Sequence, residues 1–141
     1  MVVYEYRPKR VFLGRLTKGK DVLDFFQELA EEKGIHMGTI TAVGALKGGN
    51  IGYYHQDTRS YETISIDKHL ELIGGWGNIS HTDGKVMIHL HVALADSEGR
   101  TYSGHLMPGN TTFAGEFSVT ELDGPVLERK HDEATGLQLW T

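Results

Sequence analysis

The sequence predicts an α+β fold: a mostly antiparallel β-sheet with one main helix packed on it. Three observations carry this. Helical spacing of apolar residues with both ends marked occurs once. Beyond that helix the chain is mostly short runs rich in β-formers. Turn signals separate those runs closely, and 18 of the 141 residues are glycine. Short strands in succession, with no helices between them, pair antiparallel, because a parallel return needs a long crossover.

The elements are these, in chain order. Short strands are expected over residues 2–6 and 10–16. Asp21 then caps a helix, with Asp24 at the positive end of its dipole. Val22, Phe25, Phe26, Leu29 and Ala30 form one apolar stripe, and Gly34 stands where a C-cap glycine belongs. A sheet is the partner large enough to cover that stripe. Residues 39–46 read as a strand, turned by Gly48, Gly49 and Asn50 into 51–55. Strands over 63–66 and 69–73 come next, and Gly74, Gly75, Trp76 and Gly77 are expected to bend the chain. Residues 86–95, 100–107 and 111–122 complete the sheet, and the tail, 126–140, has no clear pattern. No linker, repeat or low-complexity stretch divides the chain, so residues 1–141 are read as a single domain.

Composition narrows the function classes. The absence of cysteine excludes disulfides, thiol nucleophiles, iron–sulfur clusters and cysteine–zinc sites. Any metal must therefore sit on His, Asp or Glu. A net charge of −5 is the wrong sign for a protein that grips duplex DNA by its phosphates. The one dense basic patch, Arg7, Lys9 and Arg10, reads as a solvated strand end. No apolar run reaches the ~18 residues of a membrane span, and the first residues lack a secretory signal, so the expected compartment is the cytoplasm.

The chemistry concentrates in one stretch. Residues 87–106 read as a β-hairpin whose three-residue loop, Ser97-Glu98-Gly99, ends on a glycine suited to a left-handed turn position. If Asp96 faces Arg100, counting back along both strands sets His91 directly across from His105. His89 lies on the same face as His91, because side chains alternate with period two. Opposed residues have Cβ atoms about 5 Å apart, close enough for imidazoles to share an ion held at ~2.0–2.1 Å. His89, His91 and His105 are therefore candidate ligands of a divalent metal, zinc before nickel, iron or copper. Three histidines with an open fourth position also form the ligand set of catalytic zinc, though no general base or reaction class is evident. Water or Glu116, on a following strand, is the candidate fourth ligand. A one-residue slip of the hairpin would turn the rings to opposite faces. His36, His55, His69, His81 and His131 lack spaced partners and read as structural or exposed.

Other motifs fall away. Gly14-Arg15-Leu16-Thr17-Lys18-Gly19-Lys20-Asp21 nearly spells a phosphate-binding loop, but Asp21 replaces the hydroxyl residue that holds magnesium. Tyr53, Tyr54 and Tyr61 read as core or cross-strand aromatics rather than base-stacking platforms.

The hairpin segment His89-Leu90-His91-Val92-Ala93-Leu94-Ala95-Asp96, with Gly99 and Gly104-His105-Leu106, resembles the central signature of the PPC family. This is the "plants and prokaryotes conserved" domain, of unknown function in bacteria and archaea. Lys18-Gly19-Lys20-Asp21-Val22-Leu23, Thr41-Ala42-Val43-Gly44-Ala45-Leu46 and Leu70-Glu71-Leu72-Ile73 with Gly74-Gly75-Trp76-Gly77-Asn78-Ile79-Ser80 resemble softer parts of the pattern, over most of the chain. The resemblance implies a mostly antiparallel sheet with a packed helix and a homotrimeric assembly. It also brings an alternative, a DNA-binding or regulatory module, because plant members carry AT-hooks. Here Arg7-Pro8-Lys9-Arg10 lacks the Arg-Gly-Arg core of such a hook. The three histidines match the prokaryotic members.

Overall fold

A computed structural model describes residues 2–141. Its strands are β1 (Arg7–Arg15), β2 (Gly38–Leu46), β3 (Gly49–His55), β4 (Ser60–Ile66), β5 (Leu70–Thr82), β6 (Lys85–Ala95), β7 (Thr101–Leu106), β8 (Thr112–Asp123), β9 (Glu128–His131) and β10 (Gln138–Trp140). The one helix among the described residues is α1 (Val22–Lys33). The main sheet runs β1-β8-β2-β5-β6-β7-β3-β4, every neighbour antiparallel. β9 pairs parallel with the end of β5, and β10 pairs antiparallel with β9. The architecture is the α+β, mostly antiparallel arrangement expected from the residues.

α1 forms where its caps dictate. Asp21 Oδ1 accepts from Leu23 N at 2.7 Å and Asp24 N at 3.3 Å. Its other oxygen accepts from Gly109 N and Asn110 N, each at 2.7 Å. Gly34 closes the helix at φ 62, a left-handed value that glycine adopts freely. Val22, Phe26 and Ala30 face inward, and Phe26 meets Phe117 of β8 edge-on at 5.6 Å between ring centres. Gln27 Nε2 donates to the Val86 carbonyl at 3.1 Å, fastening the helix to β6.

The core lies between α1 and one face of the sheet. β6 supplies Ile88, Leu90, Val92 and Leu94 to it, all buried. The opposite face carries cross-strand rows. One row runs Leu13, Ser118, Thr41, Trp76, His91, His105 and Gly52, from β1 across to β3. The next runs Val11, Thr120, Thr39, Asn78 and His89.

Two expectations need correction. Residues 2–6 form no strand, because β8 ends opposite Arg7 and leaves them no edge to pair with. They are tied by side chains instead, as where the Tyr6 hydroxyl donates to the Pro125 carbonyl at 2.6 Å. The glycines at 74–77 do not bend the chain; β5 continues through them with one bulge between Leu72 and Gly74. They serve close approach: a Cβ on Gly77 would lie 1.8 Å from the His89 carbonyl oxygen, and one on Gly74 would lie 2.2 Å from the Trp76 ring. The tail, patternless in sequence, supplies β9 and β10.

Candidate metal centre

The hairpin register is the expected one. Asp96 N donates to the Arg100 carbonyl at 3.0 Å, and Gly99 turns the chain at φ 77. His91 stands opposite His105, and His89 opposite Asn78 of β5. Leu90, between the two β6 histidines, is buried on the other face, as period two requires. The three imidazoles converge, with ring centres 5.1–5.4 Å apart. One nitrogen from each lies within 4.8 Å of the others. His89 and His105 are half-buried and His91 is exposed, so the group opens to solvent on one side.

Electrostatics keep the group receptive. Burial first, then the nearby charges of Arg129, His105 and His91, holds the His89 pKa at about 4. Burial also lowers that of His105, with His91 and Arg129 adding to it. Both rings are therefore neutral at pH 7, the form that offers a lone pair to a metal. His105 Nδ1 is buried without a hydrogen-bond partner among the described residues. A buried nitrogen left unpaired costs free energy unless something fills its lone pair. The donor chemistry and this orphaned atom both fit a divalent metal ion.

Three neighbours frame the group. The Tyr61 ring is 5.3 Å from His105 and packs cross-strand on Tyr54 at 4.9 Å, the aromatic pairing expected of these tyrosines. Trp76 lies beside His91 on β5 and is 55% exposed. Arg129 reaches over from β9, its Nη2 at 3.3 Å from His89 Nδ1 and 2.9 Å from Asn78 Oδ1. Nothing in the local sequence signals this arginine, because a parallel pairing of the tail to the end of β5 brings it here.

Glu116 does not join the group. It faces Arg15 of β1 and Val43 of β2, and the strands β2 and β5 separate it from β6. Of the outlying histidines, read as structural or exposed, His36, His55 and His81 find partners in the fold. His36 Nδ1 lies 3.1 Å from His81 Nε2, and His55 Nε2 lies 2.8 Å from Glu62 Oε2. Both pairs join residues that sequence spacing does not link. Lys9 and Arg10 of the basic patch ion-pair with Glu121, whose side chain is buried.

The Plants and Prokaryotes Conserved (PCC) domain model matches residues 4–123. The chain belongs to that family. A crystal structure described as a metal-containing protein from Archaeoglobus fulgidus shares 41% identity, with a TM-score of 0.95, covering 100% of this chain and 99% of that one. A plant- and prokaryote-conserved protein from Pyrococcus horikoshii shares 33% identity with a TM-score of 0.94, over 100% of this chain and 97% of its own. A Bacteroides thetaiotaomicron structure, described as a proposed DNA-binding protein, shares 24% identity over 96% of each chain with a TM-score of 0.85, and shows the same fold. The chain is also 30% identical over 129 residues to the bifunctional protein GlmU of a Synechococcus species. That match covers 90% of this chain but 20% of GlmU, so the chain spans about a fifth of that relative's length. No helix among the described residues is long and apolar enough to cross a membrane.

Proposed function

We propose that this chain is a metal-binding member of its family, holding one divalent ion, zinc before others, on His89, His91 and His105. The observation that carries the reading is the convergence of three imidazole nitrogens within 4.8 Å; beside it, His105 Nδ1 is buried without a partner among the described residues. Tetrahedral zinc sets two bound nitrogens about 3.3 Å apart, a contraction within the reach of modest ring rotations. The metal-containing Archaeoglobus relative supports the same reading. Bound there, zinc would supply Lewis acidity at a position open toward solvent. The protein's own part is to hold the three rings on one face, with burial keeping His89 and His105 neutral.

The test is elemental analysis of protein purified without a histidine tag, followed by a zinc titration. One zinc per chain is expected. Less than about 0.2 per chain, unchanged after reconstitution, would reject the site.

The same face supports self-association into the homotrimer expected of the family. Leu13, 78% exposed, Val11, Val43, Ile73 and Trp76 present apolar surface there without cover from this chain. Exposed apolar patches of this kind mark contact surfaces. Light scattering at micromolar concentration reads the assembly, and a monomer would overturn it. DNA binding, the alternative, gains nothing from the charges: the net charge is −5, and Lys9 and Arg10 are committed to Glu121. Duplex binding that weakens steeply with salt would revive it.

A further inference from the structure

Three charged side chains are buried among the described residues: Asp96, Glu121 and Arg129. Two are neutralised from within. Lys68 Nζ lies 2.9 Å from Asp96, and Lys9 and Arg10 flank Glu121. Arg129 is 7% exposed and has no carboxylate within ion-pair distance among the described residues. A buried guanidinium without a counter-charge is costly, and evolution usually pairs it. Neutral groups hold this one in place: Ser80 Oγ at 2.9 Å, Asn78 Oδ1 at 2.9 Å and the Gln138 carbonyl at 3.1 Å. The Trp140 ring covers it at 5.0 Å. So the arginine is rigidly aimed along the face that carries the histidines, yet its charge is unanswered.

The metal position has the same defect. Its three donors are imidazoles, and no Asp or Glu among the described residues joins the group. A divalent ion there would keep its full charge, next to a guanidinium that touches His89. Two neighbouring positive centres in a partly desolvated site favour a shared anion.

We propose that Arg129 and the His89–His91–His105 metal position form one oxyanion-binding site, which takes a carboxylate or phosphate group touching both. The proposal rests on the metal reading. Guanidinium suits this role because its planar fork matches an oxyanion's paired oxygens. Arginine nitrogens only donate. Arg129 Nη2 lies 3.3 Å from His89 Nδ1, so an ion bound by that ring would take Nε2, with the guanidinium held beside the ligand ring. The Trp76 and Tyr61 rings on the same face give the body of such a ligand a flat apolar surface. The ligand class is therefore a small organic acid or phosphate ester.

The test uses the full chain without a tag. Zinc is titrated first, by calorimetry, into the wild type, Arg129→Gln and Arg129→Lys. Inorganic phosphate and benzoate are then titrated into each zinc-loaded protein and into the zinc-free wild type. Zinc binding by Arg129→Gln should be no weaker than wild type. The zinc-loaded wild type should bind at least one probe at least tenfold more tightly than the zinc-free protein. Arg129→Gln should lose at least tenfold of that affinity, with Arg129→Lys between the two. Which probe binds better distinguishes a phosphate from a carboxylate ligand. Equal affinity in Arg129→Gln, or no binding of either probe by zinc-loaded wild type, would overturn the proposal while leaving the metal site standing. Failure of the first zinc titration would reject the metal reading and this one with it. A variant intact at position 129 guards against misfolding. Trp76→Phe leaves Trp140 as the single tryptophan, stacked on Arg129. Phosphate or benzoate should change its emission in the zinc-loaded protein, and an unchanged signal at saturation would refute contact with Arg129.

Discussion

The β6–β7 hairpin has two ends that solve opposite problems. At the turn, Asp96 is almost fully enclosed, with a side chain 1% exposed, and every partner it needs comes from the chain. It accepts from Glu98 N and Arg100 N at 3.0 Å each, from the Tyr102 hydroxyl at 3.0 Å and from Lys68 at 2.9 Å. At the other end, among the described residues, His105 Nδ1 is buried without a hydrogen-bond partner and Arg129 has no carboxylate within ion-pair distance. The same two strands thus build one end that is complete and one that waits for something from outside. Polar satisfaction separates structural polar groups from receptive ones better than burial does, since both ends are substantially buried.

The largest expected effect breaks the receptive end. His89→Ala, His91→Ala and His105→Ala should each lower zinc affinity by about 100-fold or more, since even outer partners of ligands are worth 10–100-fold. Asp96→Asn, at the complete end, should leave zinc affinity within about threefold. Calorimetry measures both, and a histidine variant with full affinity would place the ion elsewhere.

Next comes the shared layer beneath both ends. Leu90 is 1% exposed on the helix-covered face, between the two β6 histidines. Leu90→Ala should cost about 3 kcal/mol by urea unfolding, from lost burial and the cavity left behind. A cost under about 1 kcal/mol would mean that this face is not tightly packed.

A smaller effect sharpens the contrast by pH. The hydrogen bond from Lys68, aided by the Arg100 and Glu98 amides and the Tyr102 hydroxyl, holds the Asp96 carboxyl well below its ordinary value of 3.8. A carboxylate depressed in this way stabilises the fold above its ordinary pKa, and that contribution is lost as pH falls below it. Wild-type melting temperature should therefore drop on going from pH 4 to pH 2 by more than that of Asp96→Asn, which should start lower at pH 7. Parallel melting curves across that window would show that Asp96 is not the linked group.

The smallest effect is the absence of one. Glu116→Gln should change zinc affinity less than about twofold, because β2 and β5 stand between Glu116 and β6. A tenfold loss would restore it as a ligand.

Several of these features are legible in the residues alone. The hairpin register follows from Gly99 and the Asp96–Arg100 pairing, and that register brings His89, His91 and His105 to one face. The helix ends follow from Asp21 and Gly34. Glycine misleads in one place. Gly74 and Gly77 read as a bend because a turn and a close approach demand the same missing Cβ, and only neighbouring strands tell them apart. His36 and His81 meet across elements far apart in sequence, beyond what periodicity can show.

The amino-acid sequence by itself determined the helix, the antiparallel pairing and the histidine hairpin, because each depends on residues near one another along the chain and on the fixed periods of helix and strand. Only the tertiary structure decided what stands around those histidines. Arg129 arrives through a tail pairing with no local signature, and Glu116 is removed by a strand order in which β2 and β5 intervene. Local rules set which way a side chain points, while long-range pairing sets which charge it meets.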